Sequence, residues 1–295
     1  MNDTGRESPP GFGAVRESAV PGVYLGRSVA FLTQHGKEKV VAPTLEAALG
    51  CKVAHVSGYD TDLLGTFTRD IPRAGNQIEA ARQKARLGMQ LSGLPLGLAS
   101  EGSFGSDPMV GMFPWNVEFL VFIDDQAGLE LVGLAQGKAN HVHVLTGDWA
   151  QARAFAEQAG FPAHHLVVRP EGENDPRIKK GIGAGAELEE AFAWARAQSA
   201  SGRVFLETDL RAHANPTRME MIRLAAEDLV KKLWSPCPAR GALGFWLVEH
   251  IAGLPCGDCG APTRETRERT DREYADAGLC DDCTRDQEDC QVPVH

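Results

Sequence analysis

The stretch VYLGRSVAFLTQHGKEKVVAPTLEAALGCKVAHVSG, residues 23–58, sets the fold class. Its first part, VYLGRSVAFLT, is apolar and β-branched like a buried strand. The following QHGKEKVVAPTLEAALG predicts a turn that opens into a helix ending at Gly50, and CKVAHVSG predicts a second strand. The chain therefore begins by alternating strand and helix, which is typical of proteins that contain both.

The alternation continues along the chain. NQIEAARQKARLGMQLSG (76–93) predicts a helix with Ile78, Ala81, Ala85 and Met89 on one face. NVEFLVFID and LELVGLAQG predict paired strands around the turn at 124–128. Further strands are predicted at 141–147, 164–170 and 202–209, and further helices at 148–160, 185–200 and 214–234. We expect an α/β or α+β fold with a mixed central sheet flanked by helices.

Composition and charge narrow the class of protein. A chain of 295 residues is long enough for one large domain, or for a domain with a smaller module. With 43% hydrophobic and 24% charged residues it resembles an ordinary soluble protein. The formal net charge of -10 argues against nucleic-acid binding through general attraction to phosphates, although a local basic patch stays open.

The sequence predicts no membrane segment and no export signal. It contains no run of 18 or more consecutive apolar residues, and its start lacks the basic-then-apolar pattern of a signal peptide. We expect a cytoplasmic location. In that reducing compartment the seven cysteines are expected to be thiols or metal ligands.

Three regions follow from the change in composition along the chain. Residues 1–22, rich in Gly, Pro, Ser and charge, predict a mobile tail. Residues 23–234 form the predicted α/β body that carries the candidate active site. From residue 235 to residue 295, Cys, Pro and Gly become dense and long periodic segments end, which predicts a small zinc-ribbon-like module.

Two Cys-x-x-Cys pairs carry the prediction of zinc. Cys256 and Cys259 form the first pair, and Cys280 and Cys283 form the second. Two such knuckles at this separation can complete a tetrahedral four-thiolate site, which has no open position and is therefore structural. The alternative is a set of unrelated buried or redox thiols. Cys237 and Cys290 remain unassigned.

Four polar segments are candidates for a site in the body. The turn that holds Thr33, His35, Lys37 and Lys39 suits a phosphate, or is an ordinary solvated turn. A second segment holds Arg69 and leads to Glu79 and Lys84 on the next helix; these charges otherwise form the solvated side of that helix. The candidate substrate-binding residues of both segments are Thr33, His35, Lys37, Lys39, Arg69 and Lys84.

Two further segments bring carboxylates. GLASEGSFGSDP, residues 97–108, contains Glu101 and Asp107 and is either a surface turn or a metal-phosphate site. Glu207 and Asp209 alternate at the end of a predicted strand, which places them on one face of it. They lead into Arg211, His213 and Arg218, so this segment is either a salt-bridged corner or a functional site.

The order of four segments resembles that of the inosine/xanthosine triphosphate pyrophosphatases. The segments are the turn 33–39, GTFTR (65–69), EAARQKA (79–85) and GLASEGSFG (97–105). The resemblance covers residues 25–110. It implies that the turn holds phosphates, that Glu79 helps to bind Mg²⁺, and that an acidic Gly/Ser loop completes the metal site. Glu101 or Asp107 would be the general base. Arg211, His213 and Arg218 are the loose counterpart of the family's base-binding corner.

The sequence also departs from that pattern. His35 stands where the family has asparagine, and Lys37 and Lys39 do not fall at the family spacing. The whole chain also looks like an uncharacterised bacterial family that joins an α/β body, ending in ETDLRAHANPTRM (207–219), to cysteine knuckles. That second resemblance brings no activity with it.

Two functions are therefore expected. The first is a Mg²⁺-dependent hydrolase of a nucleotide or another phosphorylated small molecule, in which cations offset phosphate charge and the metal activates water. The candidate Mg²⁺ ligands are Glu79, Glu101, Glu207 and Asp209. The alternative is a non-enzymatic binding or regulatory protein whose zinc module engages a protein or nucleic-acid partner. A homodimer stays open. If the carboxylates and lysines line one cleft, the hydrolase is favoured; if they are scattered, the binding protein is favoured.

Overall fold

The computed structural model describes residues 22–59, 76–237, 243–252 and 266–270. Its strands and helices confirm a mixed α/β fold. In chain order they are β1 (Ser28–Leu32), α1 (Glu38–Leu49), β2 (Lys52–Val56), α2 (Gln77–Ser92), β3 (Leu96–Ser106), β4 (Pro114–Asp124), β5 (Leu129–Lys138), β6 (His143–Thr146), α3 (Trp149–Gln158), β7 (Leu166–Pro170), β8 (Lys179–Ile182), α4 (Gly185–Gln198), β9 (Val204–Thr208), α5 (Pro216–Leu233), β10 (Leu247–Ala252) and β11 (Thr266–Thr270).

The first sheet has five strands in the order β2-β1-β3-β4-β5. β1 is parallel to both of its neighbours, whereas β3, β4 and β5 are antiparallel to one another. The chain leaves β1 through α1 to reach β2, and returns through α2 to β3 on the other side of β1. The strand order therefore reverses at β1, between two helices that cover opposite faces of the sheet.

Alternating side chains along β1 show the two faces. Val29 and Phe31 pack into the larger core, which also contains residues of α1 and α5. Ala30 and Leu32 point to the other face, toward Leu87 of α2. Burial on both faces explains why the sequence of this strand is apolar without interruption.

The second sheet has four strands in the order β6-β9-β7-β8, and all of its pairings are antiparallel. Helices α3 and α4 supply its core, in which Phe192 packs with Leu166, Leu206 and three alanines of the helices, Ala152, Ala156 and Ala195. The sequence did not predict β8. Its four residues, KKGI, contain one buried residue, Ile182, so they show no alternation of apolar and polar positions.

The predicted ends of several helices are confirmed. α1 ends at Gly50, which takes a left-handed conformation with φ 64°. α5 begins after Asn215, whose side chain accepts the backbone N–H of Arg218, and Pro216 occupies its first turn.

One expectation is wrong: GLASEGSFGSDP is not a turn or an acidic loop. Residues 96–106 form the eleven-residue strand β3, paired along its length with β4. Two of its glycines are required by close packing. A Cβ on Gly97 would lie 2.5 Å from Sδ of Met89, and one on Gly102 would lie 2.2 Å from Oε1 of Glu118. Glycine here provides room for neighbours, and not flexibility.

Several predictions fall on parts of the chain that lie outside the described residues. They are the tail up to residue 21, Arg69, and the cysteines Cys256, Cys259, Cys280, Cys283 and Cys290. From the C-terminal region, the structure describes buried Cys237 and the antiparallel pair of β10 and β11. The described helices include none long and apolar enough to span a bilayer.

Candidate functional site

The candidate site lies where the strand order of the first sheet reverses. β1 ends at Leu32, and its ladder with β3 includes Gly97 and Leu98, so most of β3 extends beyond the end of β1. The chain then turns through residues 33–37 into α1. The crevice at the carboxyl end of such strands, between helices on opposite faces, is where open α/β sheets place ligands.

Lys37, the residue just before α1, is buried in this crevice. Its side chain extends to β3, where Nζ donates to the carbonyl oxygen of Ser100 at 3.0 Å and contacts its hydroxyl at 3.4 Å. Lys37 is 7% exposed. Burial, and next the positive charge of Arg218, lower the pKa of Lys37 to about 7. The amine therefore loses its proton much more readily than an exposed lysine does.

Two ion pairs surround Lys37, one on each face of the sheet. Lys84 of α2 pairs with Glu101 of β3. On the other face, Nε of Arg218 on α5 donates to Oε1 of Glu118 on β4 at 2.7 Å, and Nη1 of Arg218 donates to the carbonyl of Leu210. Arg218 and Glu118 are almost completely buried. We call Lys37, Lys84, Glu101, Glu118 and Arg218 the charge cluster.

The charge cluster holds more cations than carboxylates. Lys84 and Arg218 each have a carboxylate partner, and both carboxylates are thereby engaged. Within the described residues, Lys37 makes hydrogen bonds to Ser100 and no ion pair. An isolated buried ammonium group is costly, so it either loses its proton or takes an anion as partner. A bound anion would therefore stabilise the charged form of Lys37 more than that of the other two cations in the cluster.

Two buried oxygen acceptors complete the cluster on the side of β4. Asn116 and Glu118 face the same side of this strand, and Nδ2 of Asn116 donates to Oε1 of Glu118 at 3.1 Å. Oδ1 of Asn116 and Oε2 of Glu118 have no hydrogen-bond donor among the described residues. Buried acceptors are normally satisfied, so a water molecule or a ligand group belongs beside them.

A second polar group, here named the histidine group, joins the turn after β1 to the segment before α5. The rings of His35 and His213 lie 5.2 Å apart between centroids. The pKa of His213 is lowered, mainly by burial and next by the charge of Arg211, with smaller contributions from His165 and Lys39. Near neutral pH the ring of His213 is therefore mostly uncharged.

Asp209 and Arg211 form the structural part of the histidine group. The guanidinium of Arg211 binds the carboxylate of Asp209 through Nε and Nη2, and the backbone N–H of Gly181 donates to the same carboxylate at 3.0 Å. Burial alone would raise the pKa of Asp209, but the hydrogen bonds from Arg211 outweigh it and the net pKa is lowered. Asp209 is thus held as an anion beside its own cation.

Three predicted acidic residues lie apart from the charge cluster. Glu79 closes the capping box at the start of α2 with Asn76. Glu207 lies 3.5 Å from Nε of Arg169. Asp107 accepts backbone N–H groups in the turn between β3 and β4, and these bonds lower its pKa to about 2. Thr33, predicted to bind substrate, is buried, and its carbonyl contacts Nε2 of His55 at 2.7 Å.

The predicted magnesium ligands do not come together at one site. Glu79, Glu101, Glu207 and Asp209 have separate partners, Asn76, Lys84, Arg169 and Arg211. Across the described parts of the chain, no group of three or more His, Cys, Asp or Glu side chains is arranged to hold a metal ion. The described residues therefore do not fit a magnesium site.

Sequence reasoning brought Lys37, Lys84, Glu101 and Arg218 into consideration but missed Glu118 and Asn116. A signal for them exists in the sequence. In the strand NVEFLVFID, Asn116 and Glu118 occupy the same parity as Leu120 and Phe122, which face the larger core. Polar residues at core-facing positions of a strand indicate either buried ion pairs or a site.

The family model described as Domain of unknown function (DUF6671) matches residues 84–284, more than half of the chain. This confirms the predicted membership of an uncharacterised family. The match adds no support for the resemblance to the pyrophosphatases or for the cysteine knuckles. No curated protein and no solved structure matches the chain.

Proposed function

Because the chain belongs to the DUF6671 family, whose description assigns no activity, we propose a function from its own residues. The protein binds a phosphorylated small molecule, such as a nucleotide, in the crevice beyond β1 and hydrolyses a phosphoryl bond there. The observation that carries this proposal is Lys37, a buried lysine without an ion pair among the described residues, placed where open α/β sheets bind ligands.

The ligand's phosphoryl group supplies the negative charge that the cluster lacks. Bound beside Nζ of Lys37, it converts the amine into a paired ammonium group, because a neighbouring anion raises the pKa of a lysine. Lys84 and Arg218 place two more positive charges near Lys37. Cations fixed around a phosphoryl group stabilise the negative charge of the transition state more than that of the free ligand.

Glu101 is the proposed general base. Its carboxylate points to the opposite face of β3 from Glu118, and its charge acts on Lys37, where it opposes the lowering of that lysine's pKa. Asp107, the alternative from the sequence, is engaged by the backbone of its own turn. In the proposed step the carboxylate of Glu101 takes a proton from the attacking water, and the phosphoryl bond to the leaving group breaks.

Magnesium stays a prediction from the sequence. The proposed step relies on Lys37, Lys84 and Arg218 for the charge of the phosphoryl group, since the described carboxylates do not form a metal site. The zinc module likewise stays a prediction, because its four cysteines lie outside the described residues.

The direct test is turnover of a panel of nucleoside triphosphates and phosphorylated sugars, with and without Mg²⁺, followed by release of phosphate or pyrophosphate. We expect the wild-type protein to turn over at least one compound. Lys37→Met should weaken binding, Glu101→Gln should lower kcat with little change in ligand affinity, and Lys52→Met, at an exposed lysine of β2, should match the wild type. Absence of turnover together with unchanged binding in Lys37→Met would refute the proposal.

A second function, binding without turnover, is favoured by one observation. Both carboxylates of the charge cluster are already ion-paired, which leaves them weak as bases. Isothermal titration calorimetry separates the two functions. Binding that depends on Lys37, with no turnover of any compound that binds, assigns the crevice to a binding protein.

A further inference from the structure

The turn that leads into α1 carries side chains to two places in the crevice. Lys37, just before the helix, extends inward, and its Nζ donates to the carbonyl oxygen of Ser100 on β3. His35, two residues earlier, has its ring 5.2 Å from that of His213 between centroids. Lys37 is buried, whereas His35 is half-buried and His213 is exposed. One place is therefore deep in the crevice and the other lies at its mouth.

The start of α1 itself favours an anion between these two places. Within the described residues no side chain caps this helix of 12 residues, because Lys37 at the cap position makes no capping hydrogen bond. Gly36 precedes it with φ 68°, and successive N–H groups in such a turn form a concavity that suits an anion. The partial positive charge of a helix N-terminus adds to this preference.

Lys39 brings a cation to the outer side of the same turn. It is exposed in the first turn of α1, and its side chain folds back over Gly36, where an added Cβ would lie 3.8 Å from Nζ of Lys39. The positive charge of Lys39 also acts on the ring of His213. Lys39, His35 and His213 therefore surround the start of α1, and we call these three residues the outer site.

The outer site keeps a positive charge because the carboxylate beside it is already bound. The charged and titratable groups that act most strongly on His213 are Arg211, Asp209, His165 and Lys39. Asp209 is held by the guanidinium of Arg211 and by the N–H of Gly181, so it does not neutralise Lys39. Glu38, the carboxylate in the first turn of α1, is not among those groups. The two histidine rings each donate an N–H in either protonation state.

We propose that the ligand of the crevice carries two linked phosphoryl groups, an inner one beside Lys37 and an outer one held by the outer site and the first N–H groups of α1. The inference rests on the proposed function, because the inner group occupies the place that the proposed function gives to its phosphoryl group. Two lysines on one turn, the first directed inward and the second outward, provide a cation for each group. The ligand is thus a diphosphate or a longer phosphate chain, whereas a monophosphate would engage Lys37 alone.

The test is calorimetric titration of the full chain with methylenediphosphonate and with phosphate. The first probe carries two linked phosphonate groups that are not hydrolysed, so binding is measured without turnover. The wild type should bind it roughly tenfold more tightly than phosphate, or more, since the second group gains charge-assisted hydrogen bonds. Lys39→Met and, separately, His213→Gln should remove most of that advantage and leave phosphate binding unchanged. Lys37→Met should weaken the binding of both probes.

Matched controls separate the outer site from general effects of charge. Lys52→Met and His143→Gln, at exposed residues of β2 and β6, should bind both probes as the wild type does. Circular dichroism checks that each variant is folded, and His35→Gln replaces His213→Gln if that variant is not.

The outcomes separate this inference from the proposed function. Equal affinity for the two probes, or an advantage that survives both Lys39→Met and His213→Gln, would overturn the outer site, while phosphate binding that depends on Lys37 would leave the proposed function in place. Binding of neither probe would overturn both. Inorganic pyrophosphate and a nucleoside diphosphate then distinguish the two sources of a diphosphate: tighter binding of the nucleoside form assigns an organic ligand, and equal binding assigns the diphosphate alone.

Discussion

Glu101 and Asp107 follow one another along the same hairpin, carry the same charge and are both buried, yet their surroundings differ completely. Asp107 is satisfied by N–H groups of its own turn, all within six residues of it. Glu101 is matched by Lys84 of the preceding helix, in a cluster whose third cation, Lys37, has no ion pair within the part of the chain that the structure describes. A carboxylate bound by the backbone of its own turn fixes that turn. A carboxylate bound by a lysine of another element belongs to a group of charges whose balance a bound ligand can change.

The largest effect should come from removing the long-range partner of a buried carboxylate. Arg218→Met leaves Glu118 charged and buried without its cation, so we expect a loss of about 3–5 kcal/mol in the free energy of unfolding. Urea denaturation measures it. On the same helix, Arg223→Met, at a partly exposed arginine paired with Glu220 and Glu227, should cost less than about 1 kcal/mol. Equal losses in the two variants would contradict the long-range role of Arg218.

The next effect tests the space that the cluster requires. Gly102→Ala places a methyl group 2.2 Å from Oε1 of Glu118, so the ion pair must shift. We expect a loss of about 1–3 kcal/mol, the usual cost of overpacking. On the same strand, Gly105→Ala meets no atom within 4 Å and should be nearly neutral. If Gly102→Ala melts at the same temperature as Gly105→Ala or at a higher one, the cluster does not depend on Gly102.

A pH-dependent effect, with a modest change for each pH unit, should distinguish Lys37 from the paired groups. Its folded-state pKa of about 7 lies below the ordinary value, so between pH 7 and pH 10 the unfolded chain binds the extra proton. The free energy of unfolding should therefore rise with pH in this window, by up to about 1.4 kcal/mol per pH unit, and the gain is lost as the pH falls toward 7. Lys37→Met should remove this contribution to the slope, and Lys52→Met should retain it.

Binding of sulfate, whose own charge is constant in this window, should show the reverse trend. Because an anion prefers the protonated lysine, its affinity should fall as the pH rises above 7, by at most about tenfold per unit for one proton taken up. Calorimetry in buffers of different ionisation enthalpy measures that proton. Sulfate binding that is independent of pH and unaffected by Lys37→Met would separate the anion site from this lysine.

The smallest effect should be local to the turn. Asp107→Asn removes the charged acceptor of four N–H groups, and the amides of Val110 and Met112 should exchange with solvent faster, on the order of tenfold. Since these bonds lower the pKa of Asp107 to about 2, the turn should stay protected until the pH falls toward that value. Asp125→Asn, in the exposed turn after β4, should leave both amides unchanged.

The sequence predicted those parts of the fold whose signals are local. Each of these signals lies within a short segment of the chain. They are the alternation of strand and helix in residues 23–58, the cap at Asn215 and the glycine at the end of α1, and the structure confirms all three. The strand β3 was mistaken for a loop because Gly97 and Gly102 are required by contacts with Met89 and Glu118, which belong to other elements. Packing of this kind leaves no periodic pattern behind.

The candidate site was predictable in part for the same reason. Lys37, Lys84 and Arg218 stood out as charges near the ends of predicted elements. Their meeting depends on the crossing of α1 and α2 and on the return of α5 to the first sheet, which no single segment encodes. Arg218 and Glu118 are 100 residues apart in the sequence, so only the folded structure reveals that they pair.

The edge of the first sheet at β5 is closed by two side chains of α5. Asp228 accepts the backbone N–H of Leu134, Nζ of Lys232 donates to the carbonyl of Val132, and the two side chains bind each other at 2.9 Å. Groups that would otherwise recruit a foreign strand are thus occupied from within the molecule. One turn of α5 thus protects part of this sheet edge, and removal of both side chains would leave these two backbone groups free to pair with a strand of another molecule.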